Sequence, residues 1–248
     1  MKPDVRTFAD SEALCRAARD EFTARAARAI AEHGSFAVAL SGCSTPKRLY
    51  SALALVDRAQ LDWSRVHLFF GDERCVEPDD EQSNYRMVRE SLLSKIEIPP
   101  ANVHRMHAEL ASVDEATHAY EHELRAHFGL AAGEIPRFDL VLLGLGPDGH
   151  TASLFPGTSA IDERERLVAA PWVAKFGTHR ITLTLPVFDN AACVLFLVSG
   201  EDKAETLKAV LENPRRTPPL PAQLVEPTDG ELVWFVDRAA AKDLARAD

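Results

Sequence analysis

Four short polar stretches, each directly after an apolar run, hold the residue types that do chemistry on a small anion. The run Asp139 to Leu145 breaks into Gly146-Pro147-Asp148-Gly149-His150, so a histidine sits at the tip of a glycine turn. An imidazole held there can take a proton from water and return it to a leaving oxygen, a contribution of about 10²- to 10⁴-fold. Glycines at 144, 146 and 149 let backbone and substrate approach closely. A loop histidine without chemistry is the ordinary alternative.

The stretch Ser41-Gly42-Cys43-Ser44-Thr45 before Pro46 offers hydroxyls and backbone N–H groups at the start of a helix, a nest suited to phosphate. Its alternative is a simple capped turn. It lacks the lysine and spacing of a Walker loop, so nucleotide triphosphate chemistry is not implied. Gly71-Asp72-Glu73-Arg74 places two acids and a guanidinium after buried aromatics; Arg74 can offer a planar pair of donors, or close a surface ion-pair cluster. In Ser199-Gly200-Glu201-Asp202-Lys203 a lysine enters the first turn of a helix, where it opposes the helix dipole and gains nothing structurally, which points to an anion. Arg180, opening the run Arg180 to Leu185, is a weaker candidate of the same kind.

Other chemistries fit less well. His118 and His122 share a helix face, but Glu121 and Glu123 lack the His-Glu-x-x-His order and no third ligand is evident, so a solvated polar face is the better reading. His104 and His107 fall in a connector after Pro99-Pro100. With no Cys/His cluster and no acid trio along the chain, no metal and no cofactor are expected. No Gly-x-Ser-x-Gly elbow occurs, and Ser153 lies in the same turn as His150, so His150 is expected to act on water. Backbone N–H groups of the turn and Arg74 are both open as oxyanion donors. The roles of Asp72, Glu73 and Asp148 are open at this stage.

The elements that must position these residues follow from periodicity. Apolar residues at Leu14, Ala18, Phe22, Ala26 and Ile30 predict a helix over 11–33 stopped by Gly34. A strand over 36–40 precedes a helix starting at Pro46, and a strand over 66–70 precedes a helix capped by Ser83 that runs to about Ser94. A further helix spans 113–128, strands fall at 180–185, 193–198 and 232–236, and a last helix at 202–211. Strands that are mostly apolar throughout, alternating with helices, predict a doubly wound α/β domain with a mostly parallel sheet covered on both faces. In such a sheet the strand exits share one edge, so the four polar stretches converge. The Pro214 to Pro227 segment reads as a surface excursion, and residues 1–248 as one domain.

Composition narrows the partners. A net charge of −10 argues against nucleic acid and anionic membranes, and the longest apolar run, Ala191 to Val198, is too short for a bilayer span. Cys15, Cys43, Cys75 and Cys193 are scattered and read as reduced thiols, and nothing directs the chain out of the cytoplasm.

Taken in order, Ala39 to Tyr50, Phe70 to Arg74 with Ser83-Asn84-Tyr85, Gly144 to Gly157, and Arg180 to Thr184 resemble the 6-phosphogluconolactonase family over nearly the whole chain. The resemblance implies a modified Rossmann-like fold of the sugar-phosphate isomerase/deaminase type. It also implies metal-free hydrolysis of 6-phospho-D-glucono-1,5-lactone in the pentose phosphate pathway, by a cytoplasmic protein expected to be a monomer. It makes His150 the general base and brings Arg74 to the substrate, with Arg180 and Lys203 matching basic positions near the phosphate. The expected site is thus His150, Asp148 and Arg74 for catalysis, with Ser41, Gly42, Cys43, Ser44, Thr45, Asp72, Arg180 and Lys203 for substrate. Cys43 departs from the family loop, usually Ser-Gly-Gly-Ser-Thr-Pro; if that position needs positive φ, the change costs roughly 1–2 kcal/mol. Glucosamine-6-phosphate deaminase is the related alternative, but its motif resembles Gly-His-Ile-Ala-Phe-Asn-Glu-Pro, and Phe155 stands here at the glutamate. A sugar-phosphate sensor of the same fold would carry a DNA-binding module ahead of it, where this acidic chain has a single helix.

Overall fold

Runs such as Phe36–Leu40 and Cys193–Val198 present no polar face, so they are stable only inside a sheet covered on both sides. The computed structural model describes residues 3–42, 44–214 and 217–245 and places these runs at the centre of a seven-stranded parallel sheet. In chain order the elements begin β1 (Asp4–Phe8), α1 (Ser11–His33), β2 (Phe36–Leu40), α2 (Ser44–Leu53), β3 (Val66–Phe70) and β4 (Asp72–Arg74). They continue α3 (Asn84–Ser91), β5 (Val103–His104), α4 (Val113–Phe128), β6 (Leu140–Leu143), β7 (Val168–Ala169) and β8 (Trp172–Val173). The chain closes with β9 (Thr178–Leu183), α5 (Leu185–Asp189), β10 (Cys193–Val198), α6 (Ala204–Leu211) and β11 (Glu231–Asp237).

The large sheet runs β1-β11-β10-β6-β2-β3-β5, and every pairing in it is parallel. The chain builds outward from β2 through β3 to β5, then crosses to β6 on the other side of β2. That reversal makes the carboxyl ends of β2 and β6 the topological switch point, the crevice where open α/β sheets bind ligands. Phe22 of α1 packs edge-on against Phe36, ring centroids 5.2 Å apart, and Phe196 stacks on Trp234 at 3.8 Å, so aromatic burial locks the helix layer and the sheet interior.

The expectation of one mostly parallel sheet is incomplete. β9, expected over 180–185, begins two residues earlier and belongs to a second, four-stranded antiparallel sheet with β4, β7 and β8. Gly71 alone separates β4 from β3; its N–H donates to the Leu40 carbonyl at 2.8 Å, and its own carbonyl accepts from Leu183 N–H at 2.9 Å. The small sheet therefore starts at the carboxyl edge of the large one. The proline-rich segment is a surface excursion only in its first part: Pro214, Thr217 and Pro218 are exposed, but Pro221, Ala222 and Gln223 are buried, and Ala222 N–H donates to the Gly149 carbonyl at 3.0 Å. Cys15, Cys75 and Cys193 are free thiols, and Cys43 lies outside the described residues. No described helix is long and apolar enough to cross a membrane.

Candidate active site

At the switch point the exits of β2, β3, β6 and the strand β9 line one cavity. Its walls include Ser41, Gly42, Asp72, Arg74, Gly144, Gly146, His150, Ser153, Phe155, Phe176 and Arg180. The first loop is held by the buried phenol of Tyr50, which accepts from Ser41 N–H at 2.9 Å and donates to the Ser41 carbonyl at 2.8 Å. Gly42 accepts from Arg74 Nη2 at 3.3 Å, joining the first exit to the second, and Arg74 Nη1 donates to the Gln82 carbonyl.

The histidine turn is built around close contact. Gly149 has φ +78°, a left-handed conformation that favours glycine, and Gly146 lies under the imidazole: a Cβ there would meet His150 ring atoms at 2.0 Å. His150 Nδ1 bonds the Asp148 carboxylate, whose other oxygen accepts from Lys175 Nζ at 3.2 Å. Burial opposes ionisation of Asp148, but the bonds from His150 and Lys175 outweigh it and hold the carboxyl at about 2, so it is a full anion at neutral pH. An anion accepting at Nδ1 fixes that nitrogen as the N–H and leaves Nε2 with its lone pair. The ring also stacks on Phe155, centroids 4.2 Å apart.

Two cations meet on the facing wall, with the acids Asp72 and Glu73 close by. Arg180 and Arg74 are direct cross-strand partners in the β4–β9 pair, an arrangement that costs energy between like charges. Arg180 is only 8% exposed, and its Nε and Nη1 find no hydrogen-bond partner among the described residues. Burial, with the Arg74 charge added, pushes its pKa down from the usual guanidinium value. Its nearest ring contact is Phe176, 5.0 Å from the guanidinium carbon. An unsatisfied buried cation beside a second cation fits an anionic ligand group.

The two acids of the second exit separate. Asp72 faces the cavity and accepts from Ser153 Oγ at 2.6 Å and Asn84 Nδ2 at 3.2 Å. Glu73 turns away and accepts from Asn84 N–H (2.7 Å), Tyr85 N–H (2.8 Å) and Arg74 N–H (2.8 Å), tying α3 to β4. Burial pushes its carboxyl up against the pull of those backbone groups.

Of the residues expected from sequence, Ser41, Gly42, Asp72, Arg74, His150 and Arg180 come together around the cavity, with Asp148 behind the imidazole. Thr45 is buried inside the start of α2 and Ser44 faces solvent there; neither lines the cavity, and Cys43 falls outside the described residues. Lys203 stands at the N-cap of α6, paired with Asp202 at 2.9 Å and outside the lining; one turn on, Thr206 Oγ1 donates to the Pro147 carbonyl at 2.8 Å, placing this helix start beside the histidine turn. Sequence reasoning missed Lys175 and Phe176, which reach the site from the β8–β9 turn. The strand before them, β8, has two residues, too few to show a period, so no local signal announced them.

The absence of a Cys/His cluster along the sequence does not carry over into space. His67, His104 and His127 meet at the β3–β5 edge, away from this cavity, whereas His118 and His122 stay exposed on α4. Three elements contribute one histidine each, so no local spacing announces the group.

The doubly wound sheet with its switch-point cavity and basic wall defines an enzyme of the sugar-phosphate-binding α/β type. The chain belongs to the glucosamine-6-phosphate isomerases/6-phosphogluconolactonase family, whose model matches residues 9–234. It is 41% identical to a 6-phosphogluconolactonase from Synechocystis over 98% of this chain and 99% of the relative. It is equally identical, 41%, to the 6-phosphogluconolactonase of Homo sapiens, covering 96% of this chain and 92% of that one. The solved structure of 6-phosphogluconolactonase from Trypanosoma cruzi superposes with a TM-score of 0.87 at 29% identity, over 99% of this chain and 98% of that chain.

Proposed function

We propose that this protein hydrolyses 6-phospho-D-glucono-1,5-lactone to 6-phospho-D-gluconate in the pentose phosphate pathway, with His150 as the general base. His150 Nε2 takes a proton from a water that attacks the lactone carbonyl carbon, and a tetrahedral oxyanion forms. Asp148, ionised at neutral pH, stabilises the resulting imidazolium through Nδ1–H. The imidazolium then gives its proton to the ring oxygen as the carbon–oxygen bond breaks, leaving the open-chain acid and a neutral histidine. Atoms balance as one water consumed per ring opened.

The observation that carries this reading is Arg180, buried without a partner at two nitrogens in the cavity that His150 also lines. It supplies the positive charge that a phosphorylated substrate needs, with Arg74 beside it. Lys203 reaches the phosphate by leaving Asp202. Phe155 argues against amine chemistry of the deaminase kind, because its ring stacks on the imidazole where that reaction places a second carboxylate.

The test compares turnover of the 6-phosphorylated δ-lactone with that of the unphosphorylated lactone, in the wild type and in His150→Ala. The expected result is strong preference for the phosphorylated substrate and a kcat lower by about 10²- to 10⁴-fold in the variant. Equal turnover of both lactones, or full activity in His150→Ala, would overturn the reading.

A further inference from the structure

The sheet edge formed by β3 and β5 carries a group of side chains that the lactonase chemistry leaves unused. His67 on β3, His104 on β5 and His127 in the last turn of α4 each offer a ring nitrogen, and these atoms all lie within 4.8 Å of one another. His67 Nδ1 and His104 Nε2 are 3.2 Å apart. A tetrahedral zinc ion, with Zn–N bonds of about 2.0–2.1 Å, sets its ligand nitrogens about 3.3–3.4 Å apart. One pair already stands at that spacing, and the third nitrogen closes by at most about 1.5 Å, within the reach of a side-chain adjustment on a half-buried helix end.

The surroundings orient the cluster as a ligand set. Glu123 Oε1 accepts from His104 Nδ1 at 2.7 Å, which makes Nδ1 the protonated nitrogen and turns the Nε2 lone pair toward His67 and His127. A carboxylate behind a ligating imidazole is the usual outer-shell arrangement of a metal-bound histidine. His104 is packed flat on Phe69, centroids 4.1 Å and planes 6° apart, and His127 meets Phe69 edge-on at 5.0 Å, so an apolar ring floors the group on one side. His67 and His127 remain half-buried, which leaves an entry path and a fourth coordination position for water.

Three imidazoles converging on one point, with a single carboxylate, Glu123, behind one of them, make a good set of nitrogen donors. We propose that His67, His104 and His127 bind a divalent transition metal of the zinc class, with Glu123 as the positioning residue behind His104. The ion fastens the two-residue edge strand β5 and the end of α4 to β3. On binding, the proton that His67 Nδ1 shares with His104 moves to His67 Nε2, so both facing lone pairs turn to the metal. This site lies on the strand β3 before its carboxyl end, and none of its residues lines the His150 cavity. Its role is structural, and its test is separate from the lactonase reading.

The experiment uses the full chain, without an affinity tag of histidines and stripped by chelator, titrated with zinc chloride by calorimetry and with cobalt(II) by visible absorption. The expected result is one equivalent bound, a four-coordinate cobalt spectrum and a higher unfolding temperature with zinc. Glu123→Gln weakens binding about 10- to 100-fold, and His127→Gln by more than that. Thermal unfolding of each metal-free variant verifies that it is folded, and His67→Asn repeats the loss at a half-buried position. The double variant His118→Ala/His122→Ala keeps wild-type affinity, and all of these variants keep wild-type kcat/KM for the lactone. Failure to bind one equivalent, or equal affinity in His127→Gln and the wild type, overturns the proposal.

Discussion

Replacing Arg180 by methionine separates what the residue does for binding from what it costs the fold. The side chain is 8% exposed, faces Arg74 directly across the strand pair, and leaves Nε and Nη1 without partners. A buried donor left unsatisfied costs about 1–3 kcal/mol, so two of them cost about 2–6 kcal/mol in the ligand-free protein. Methionine fills similar length without polar atoms; it gives up the contact with the Phe176 ring, worth about 0.5–2 kcal/mol. The net gain is about 0–5.5 kcal/mol, centred near 3 kcal/mol, in line with buried charges replaced by apolar groups of similar volume. For a chain of this length each kcal/mol raises Tm by roughly 2–4 °C, so at the centre of that range ligand-free Arg180→Met unfolds about 6–12 °C higher than the wild type. Binding runs the other way. Two charge-assisted bonds to an anion, at about 1.5–3 kcal/mol each, correspond to about 10²- to 10⁴-fold in kcat/KM. Scanning calorimetry with and without 6-phosphogluconate, alongside the lactonase assay, reads both effects, and the ligand-induced rise in Tm shrinks in the variant. A lower ligand-free Tm together with unchanged kcat/KM would show that Arg180 is an ordinary structural cation and refute the reasoning.

Three further outcomes follow from the site. Asp148→Asn lowers kcat by at least about 10²-fold with KM little changed, because the imidazolium loses its anion; an unaltered kcat would remove Asp148 from catalysis. The same variant tests linkage: the folded carboxyl titrates at about 2 against an ordinary 3.8, so its stabilisation is present above about pH 4 and lost as pH falls through 2. The wild type therefore loses more Tm than Asp148→Asn over that acid window. Lys203→Ala raises KM about tenfold while sparing kcat, as a lost contact to a bound phosphate requires, and an unchanged KM separates it from the substrate. Gly146→Ala puts a Cβ at 2.0 Å from the His150 ring, so the imidazole swings away and kcat falls in a protein that still melts cooperatively; full activity would show the turn to be more compliant than drawn.

Helices α1 and α4 were legible to the residue because both ends carry capping chemistry on an amphipathic repeat. Asp10 and Ser112 accept from Ala13 and Glu115 N–H, and Gly34 and Gly129 close the helices in the left-handed conformation. The site was legible for a different reason: a parallel sheet sends every strand exit to one edge, so Ser41, Asp72, Arg74 and His150 converge once the strands are recognised. The small sheet was not legible, since β4, β7 and β8 have two or three residues each, too few to show a period. The same shortness hid Lys175 and Phe176. Burial of Pro221 to Gln223 was hidden because proline-rich composition describes local stiffness, and their packing under Gly149 is a tertiary fact.

The Tyr50 phenol has an effect on what the first loop can recognise. Its oxygen accepts from the Ser41 N–H and donates to the Ser41 carbonyl, so that N–H is not free to donate to an incoming anion. Of the described residues of this loop, Ser41 and Gly42 line the cavity, so with the Ser41 N–H taken the described part of the rim has one backbone donor fewer for a ligand. Such a rim can steady one or two ligand oxygens and leaves the remaining charge to the arginines. A phenylalanine at position 50 would keep the shape and return a donor and an acceptor to the loop, so this single oxygen sets how much of the ligand the backbone reads and how much the side chains read.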